Sequence, residues 1–197
     1  MREMLKIGVL AVQGAFAEHA AMLESLGAET FLIRQASDLQ NPMDGLVLPG
    51  GESTVQGKLL RELSLFEPLR EKIQDGLPVF GTCAGMILLA KHLYEDPVVH
   101  FGLMDLTVRR NAYGRQLGSF IAHEQFGDLG EISMPFIRAP YIESAGTGVQ
   151  ILAEVAGKKV AAREKNMLAI SFHPEVTGET AVHAYFLDMV REACSSK

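Results

Sequence analysis

Cysteine is scarce in this sequence: Cys83 and Cys194 are the only two among 197 residues. Two such residues do not suggest the disulfide framework that holds many small secreted domains together. Neither has a second Cys or a His at zinc-finger spacing, so structural zinc is not expected. Long apolar runs are missing too. No stretch reaches the roughly 18–20 uninterrupted apolar residues of a membrane span, and no membrane association is expected. The opening Met1-Arg2-Glu3-Met4-Leu5-Lys6 leads straight into a strand-like segment. It lacks the apolar stretch and small-residue cleavage site of a signal peptide, so the expected compartment is the cytoplasm. Clustered positive charge is absent as well. The net charge is −6 and the densest basic pair is Arg109-Arg110, too little for a nucleic-acid footprint. There is no internal repeat, low-complexity tract or Pro/Ser-rich linker.

What is present suits one domain, residues 1–197, around one sizeable core: 48% of residues are hydrophobic and 21% charged. The first half alternates strand-like and helix-like segments. Lys6 to Val12 is a continuous apolar run with β-branched residues, as in a buried parallel strand. Glu18 to Leu26 has apolar residues at helical spacing and stops at Gly27. Thr30 to Ile33 and Gly45 to Leu48 read as strands, and Ser53-Thr54-Val55-Gln56 fits a capping box that opens a helix. Glu67 to Asp75 reads as a helix, Pro78 to Gly81 as a strand, and Ala84 to His92 as a helix. This rhythm predicts an α/β fold with a parallel sheet covered on both faces. The second half reads as short strands at Leu103 to Arg109, Ser119 to His123, Glu131 to Ile137 and Val149 to Glu154. A hairpin over Lys158 to Arg163 and Met167 to Phe172 follows, then a helix from Glu179 to Ala193. Some of these strands are expected to extend the main sheet and others to form an antiparallel addition.

Gly81-Thr82-Cys83-Ala84-Gly85 is the most informative pentapeptide. A nucleophile between small residues, at a strand-to-helix turn, is the elbow pattern with Cys in place of Ser. The sharp turn pushes the reactive atom out above the sheet edge. The following helix directs free N–H groups and partial positive charge at the sulfur, favouring the thiolate. The ordinary alternative is an inert buried cysteine in a Gly-rich turn. Cys194 has no comparable context.

A cysteine nucleophile needs a proton acceptor, and that acceptor needs an orienter. Among six histidines, His173 stands out in Ile170-Ser171-Phe172-His173-Pro174-Glu175. It follows an apolar strand that should end at the carboxyl edge of the sheet, where sites of open α/β sheets collect. In extended chain, His173 and Glu175 share a face, and Pro174 stiffens the pair. The alternative is a surface His and Glu after a strand. His19, His92, His100, His123 and His183 read as surface or packing residues, with His19 a candidate interface residue. No group of them has metal-ligand spacing. Pro49-Gly50-Gly51-Glu52-Ser53 ends another strand. Its glycines let backbone N–H groups face a cavity, so the Gly51 and Ala84 amides are candidate oxyanion donors. A plain Gly-Gly turn is the alternative; a phosphate loop lacks the Walker Gly-Lys-Ser/Thr.

Gly81 to Gly85, Pro49 to Ser53 and His173-Pro174-Glu175, in this order, resemble the triad-type (class I) glutamine amidotransferases. Within them, Ile7 to Phe16 with Glu18-His19, Val108 to Gln116 and Phe136 to Pro140 resemble the glutaminase-subunit family of pyridoxal 5′-phosphate synthases. The resemblance runs from Ile7 to about Val190. It implies a flavodoxin-like three-layer sandwich, with a mostly parallel central sheet and an antiparallel addition. It implies Cys83 as nucleophile, His173 as base and Glu175 as orienter. L-Glutamine would be bound by Gly50, Gly51, Glu52 and Ser53 together with Arg109, Ile137 and Arg138. Arg109 and Arg138 suit a carboxylate. No metal or organic cofactor is implied. Ammonia would pass to a separate synthase subunit, with Gln13 and Ala15 to His19 near that partner. Ala11 and Ala15-Phe16 depart from the commonest forms, which bears on docking rather than chemistry.

The implied course is thiolate attack on the side-chain amide, ammonia release assisted by His173, and hydrolysis of a γ-glutamyl thioester. An attached hypothesis is that the lone subunit is weakly active because its oxyanion loop is misaligned until the partner docks. Three other readings stand beside this one. A glutaminase of another pathway, such as histidine biosynthesis, is opposed by the Gln13-Gly14-Ala15 and Arg109 to Gln116 segments. A stand-alone γ-glutamyl cysteine hydrolase would need no synthase. A regulatory module with a vestigial site is opposed by the intact Cys83, His173 and Glu175.

Overall fold

The computed structural model describes residues 4–110 and 119–196. The first half alternates β1 (Lys6–Leu10), α1 (Phe16–Ser25), β2 (Glu29–Ile33), β3 (Gly45–Leu48), α2 (Ser53–Glu62), α3 (Phe66–Gln74), β4 (Val79–Thr82) and α4 (Ala84–Leu89). Strands then dominate: β5 (Ala90–Leu93), β6 (Met104–Arg109), β7 (Ser119–Gln125), β8 (Glu131–Ile137), β9 (Tyr141–Ala145), β10 (Gln150–Val155), β11 (Lys158–Glu164) and β12 (Met167–Ile170). Helix α5 (Ala181–Ser195) follows.

Among the described residues, ten strands form one sheet in the order β2-β1-β3-β4-β12-β11-β9-β6-β5, with β10 paired to β11. The half from β2 to β12 is parallel throughout. Beyond β12 the neighbours β11, β9 and β6 are antiparallel, and β5 lies parallel to β6. Strands β7 and β8 form a separate antiparallel ribbon. The parallel half with an antiparallel addition is therefore as expected.

Alternation along the central strands builds two cores, since successive side chains point to opposite faces. Ile7, Val9, Val47, Phe80, Leu168 and Ile170 point to one face, where they meet Leu23 of α1, Phe186 and Val190 of α5, and the β7–β8 ribbon. Leu10, Leu46, Leu48, Val79 and Ala169 point to the other, against Leu60 of α2, Leu69 and Ile73 of α3, and Met86 to Leu89 of α4. Burying both faces explains why these strands read as continuous apolar runs. Among the described residues no helix is long and apolar enough to cross a membrane.

Three local expectations are corrected. The helix expected over Ala84 to His92 ends at Leu89; Ala90 turns extended and starts edge strand β5. An apolar run of that length has no periodicity that separates helix from strand, and pairing with β6 decides the outcome. The capping box at Ser53 does not form. Glu52 is the cap, its side chain accepting from the Thr54 N–H, and Ser53 is the first helical residue. Gln56 instead donates its amide to the carbonyls of Gln13 and Pro49. Strand β9 was not anticipated; only Ile142 in it is buried, so its sequence carries no alternation.

Two glycines have contrasting reasons to be glycine. A Cβ on Gly85 would stand 2.2 Å from the Leu48 carbonyl oxygen, whereas Gly27, after α1, has φ +86° and open space around it. Gly85→Ala is expected to destabilise the protein by about 3 kcal/mol or more, since rigid backbone must move. Gly27→Ala should cost roughly 1–2 kcal/mol, the left-handed penalty alone. Urea denaturation of both variants checks this; equal costs would contradict the steric account.

Candidate active site

Four adjacent parallel strands, β1, β3, β4 and β12, deliver the candidate residues from their carboxyl ends. Leu10 leads to Gln13 and Gly14, Leu48 to Gly50 and Gly51, Thr82 to Cys83, and Ile170 to His173. This is the edge at which ligands bind in open α/β sheets.

Cys83 is the N-cap of α4 with φ 53° and ψ −98°, a left-handed conformation that a side-chain-bearing residue rarely adopts. Such strain costs of order 1–3 kcal/mol and persists only where the surroundings impose it. Here the Cys83 N–H donates to the Ile170 carbonyl at 2.8 Å, holding the turn to β12. Gly81 and Gly85 are pressed together, a Cβ on Gly81 falling 2.7 Å from the Gly85 backbone. The small residues flanking the nucleophile are therefore a packing requirement.

His173 is fixed from three sides. Its N–H donates to the Pro135 carbonyl of β8 at 2.8 Å, so the antiparallel ribbon helps to position it. Its Nδ1 lies 2.7 Å from Glu175 Oε1, and Cys83 lies beside it on the wall of the same cavity. With Nδ1 taken by the carboxylate, Nε2 is the nitrogen left for sulfur. Burial would lower the pKa of this ring, but the bonds to Cys83 and Glu175 outweigh it and push the value up to about 10. His173 thus carries its proton at neutral pH, on the same cavity wall as the Cys83 sulfur. The Glu175 side chain is fully buried. Pro174 begins a single 3₁₀ turn, Pro174–Val176, which is what brings Glu175 back onto His173.

Around this line lies a cavity of about 560 Å³ whose wall includes Gly50, Gly51, Glu52, Ser53, Cys83, Ala84, Ile137, Arg138, His173 and Glu175. A Cβ on Gly50 would stand 2.5 Å from the His173 ring, so glycine there permits the close approach. The Gly50 carbonyl accepts from the Ala15 N–H at 3.0 Å. Peptide planarity then turns the Gly51 N–H to the opposite side. Gln13 Oε1 accepts from the Glu52 N–H at 2.8 Å, tying the loop to the end of β1. A larger hollow of about 850 Å³ lies far from this chemistry, between Lys6, Asp44 and Cys194, and no histidine lines it.

Arg109 is not brought into the cavity. Its guanidinium stacks over the Tyr94 ring at 3.6 Å and bonds Glu143 at 3.1 Å. The next residue, Arg110, lines the cavity instead and reaches Asp96 at 3.3 Å and Thr54 at 3.1 Å. Adjacent residues at a strand end face opposite ways, and sequence alone did not say which arginine faces in. Arg138, on the cavity rim, has φ 45°, a second strained residue at the site. The rest of the Arg109 to Gln116 segment, residues 111–116, lies outside the described residues. His19, read as a candidate interface residue, is wholly buried, as is His183. The signal was there: His183 shares the i, i+3, i+4, i+7 face of α5 with Phe186, Leu187 and Val190, all buried.

The match to known proteins agrees with this geometry. Residues 9–192 match the family model described as the SNO glutamine amidotransferase family. A pyridoxal 5′-phosphate synthase subunit PdxT from Desulfitobacterium hafniense (strain Y51) is 57% identical over 98% of this chain and 96% of its own length. A subunit of the same name from Methanocorpusculum labreanum is 60% identical over 94% of this chain and 98% of its own. A crystal structure of a glutamine amidotransferase superposes with a TM-score of 0.88 at 41% identity, covering 93% of this chain and 98% of the other. With a family model spanning nearly all its length, the chain belongs to the SNO glutamine amidotransferases.

Proposed function

We propose that this chain is the glutaminase subunit of a pyridoxal 5′-phosphate synthase. It hydrolyses L-glutamine to L-glutamate and ammonia and passes the ammonia to a synthase subunit. The relatives that carry this subunit name cover nearly the whole chain. The observation that carries the chemistry is Cys83, His173 and Glu175 together on the wall of one cavity, with His173 hydrogen-bonded to Glu175.

In this reading the Cys83 sulfur attacks the side-chain carbonyl carbon of glutamine. The oxyanion forms against the N–H groups of Gly51 and Ala84. His173 gives its proton to the departing ammonia and becomes neutral. It then takes a proton from water, which attacks the γ-glutamyl thioester and releases glutamate and the thiolate. Glu175 holds the Nδ1–H tautomer throughout, leaving Nε2 to exchange the proton. Only side chains, backbone amides and water take part.

The α-carboxylate and α-amino group of glutamine need charged partners. We assign the carboxylate to Arg110 in place of Arg109, with Arg138, Ile137, Glu52 and Ser53 completing the pocket; their support is their place on its wall. Ammonia released to bulk water would be protonated, which gives a chemical reason for a route into the partner. We place the partner near Gln13 and Ala15 to Glu18, His19 itself being buried; this stretch reaches the oxyanion loop through the Ala15 to Gly50 bond. Docking there would act on the loop directly, which keeps the misaligned-loop hypothesis in play. A stand-alone hydrolase remains the second reading, distinguished by its indifference to a synthase.

Glutaminase assays with and without the synthase subunit test the assignment. Cys83→Ala should lose glutamine hydrolysis by several orders of magnitude, roughly 10³-fold or more. It should still support coenzyme formation from added ammonium salt. Hydrolysis unchanged by Cys83→Ala would contradict the proposal. Arg110→Ala should raise the KM for glutamine about tenfold or more, as loss of a charged hydrogen bond does, while Arg109→Ala should leave it within about twofold. The reverse order would return the substrate carboxylate to Arg109.

A further inference from the structure

Behind the triad lies a pair of histidines that the reaction described above does not use. His19 Nδ1 and His183 Nε2 are 2.8 Å apart, one on α1 and the other on α5. Both residues are wholly buried, wedged beside the Phe80 ring of β4 at 5.8 and 5.4 Å between centroids. The other side of His19 looks at the catalytic line: its Nε2 is 3.7 Å from Glu175 Oε2. That is the carboxylate oxygen His173 leaves free, and it has no hydrogen-bond partner. An ionised carboxylate oxygen is an acceptor only, and leaving one buried without a donor is costly. His19 Nε2 is likewise buried and unpartnered. The two atoms are complementary, and a displacement of under about 1 Å brings them within hydrogen-bond range.

The protonation pattern follows from the contacts. If His19 carried its proton on Nδ1, its Nε2 lone pair would confront the carboxylate. The proton therefore belongs on Nε2, and Nδ1 accepts. The 2.8 Å contact must then be donated by His183, which carries its own proton on Nε2. A doubly protonated ring is disfavoured at both positions. Burial, then the neighbouring His183 and His173, lowers the His19 pKa well below its ordinary value, and burial pushes His183 down to about 4. A neutral donor has an advantage here. It satisfies Glu175 without a positive charge that would compete with the His173 imidazolium for the same carboxylate.

We infer that His19 is a positioning residue for the glutaminase reaction, a neutral Nε2–H donor to the outer oxygen of Glu175, with His183 locking its tautomer. The inference rests on the Cys83, His173, Glu175 reading and extends it from three residues to five. The ionisable groups facing Glu175 are His173 from its own segment, His19 from α1 and, behind it, His183 from α5. Arg110, Arg138 and Glu52 line the same cavity. Without the His19 donor the outer oxygen of Glu175 loses its complementary N–H, and the carboxylate orients the His173 ring less precisely.

The test uses the full chain in complex with its synthase subunit. His19→Leu should lower kcat for glutamine hydrolysis by roughly tenfold to a hundredfold, the loss expected for a hydrogen bond to a charged group. It should leave KM within about twofold. His19→Gln, whose amide N–H reaches the Nε2 position, should restore the rate. A merely structural role would show neither the kcat-only loss nor that rescue. Independently of any variant, ¹⁵N-resolved imidazole spectra should find both histidines in the neutral Nε2–H form from pH 6 to 9. This measurement decides the matter if His19→Leu fails to fold. Wild-type kinetics in His19→Leu, with Cys83→Ala inactive, would overturn the positioning role and leave the triad standing. So would an Nδ1–H or cationic His19. Activity retained in Cys83→Ala would instead sink the triad reading and this inference with it.

Discussion

The His173 imidazolium between a sulfur and a carboxylate is the contact on which the rest of this structure depends. Burial works against that charge, and only its two partners make it favourable. Each partner is supplied by a different local device. Cys83 is driven into the cavity by a strained elbow whose neighbours leave no room for a Cβ. Glu175 is folded back by one turn of 3₁₀ helix that begins at proline. The His173 backbone N–H is tied to the Pro135 carbonyl of β8. The parallel half of the sheet thus presents Cys83, while the β7–β8 ribbon anchors His173.

The loop through Gly50 and Gly51 is coupled to the same assembly. Gly50 is pressed against the His173 ring, its carbonyl is held by Ala15, and Gln13 holds Glu52. The Gln56 amide bridges Gln13 and Pro49. The ends of β1 and β3 and the start of α2 therefore behave as one hydrogen-bonded piece. The start of α1 is tied to this loop by the Ala15 to Gly50 backbone bond, and its His19 stands 3.7 Å from Glu175.

Much of this was legible in the sequence, for identifiable reasons. β3 and β8 were read to the residue because apolar runs bounded by turn residues leave little choice. The meeting of Cys83, His173 and Glu175 at one cavity was legible because each sits in a short motif whose local geometry is self-contained. What failed was what depends on distant pairing. Whether Ala90 to Leu93 continues a helix or forms an edge strand is decided by β6. Which of Arg109 and Arg110 enters the cavity is decided by how β6 pairs with β9. His19 and His183 are 164 positions apart, and only the packing of α1 and α5 on one sheet face brings them together. Ser53 lost its capping role for a similar reason, because Gln56 was engaged by β1.

The most direct test of the central contact is the titration of His173 itself, followed by its imidazole resonances in the wild-type chain and in Cys83→Ala. The account predicts a ring that stays charged through pH 8 and gives up its proton near pH 10. In Cys83→Ala the loss should come at lower pH, because burial then has only Glu175 to oppose it. A His173 that titrates near its ordinary value of about 6.5, and does so with or without the sulfur, would contradict the account.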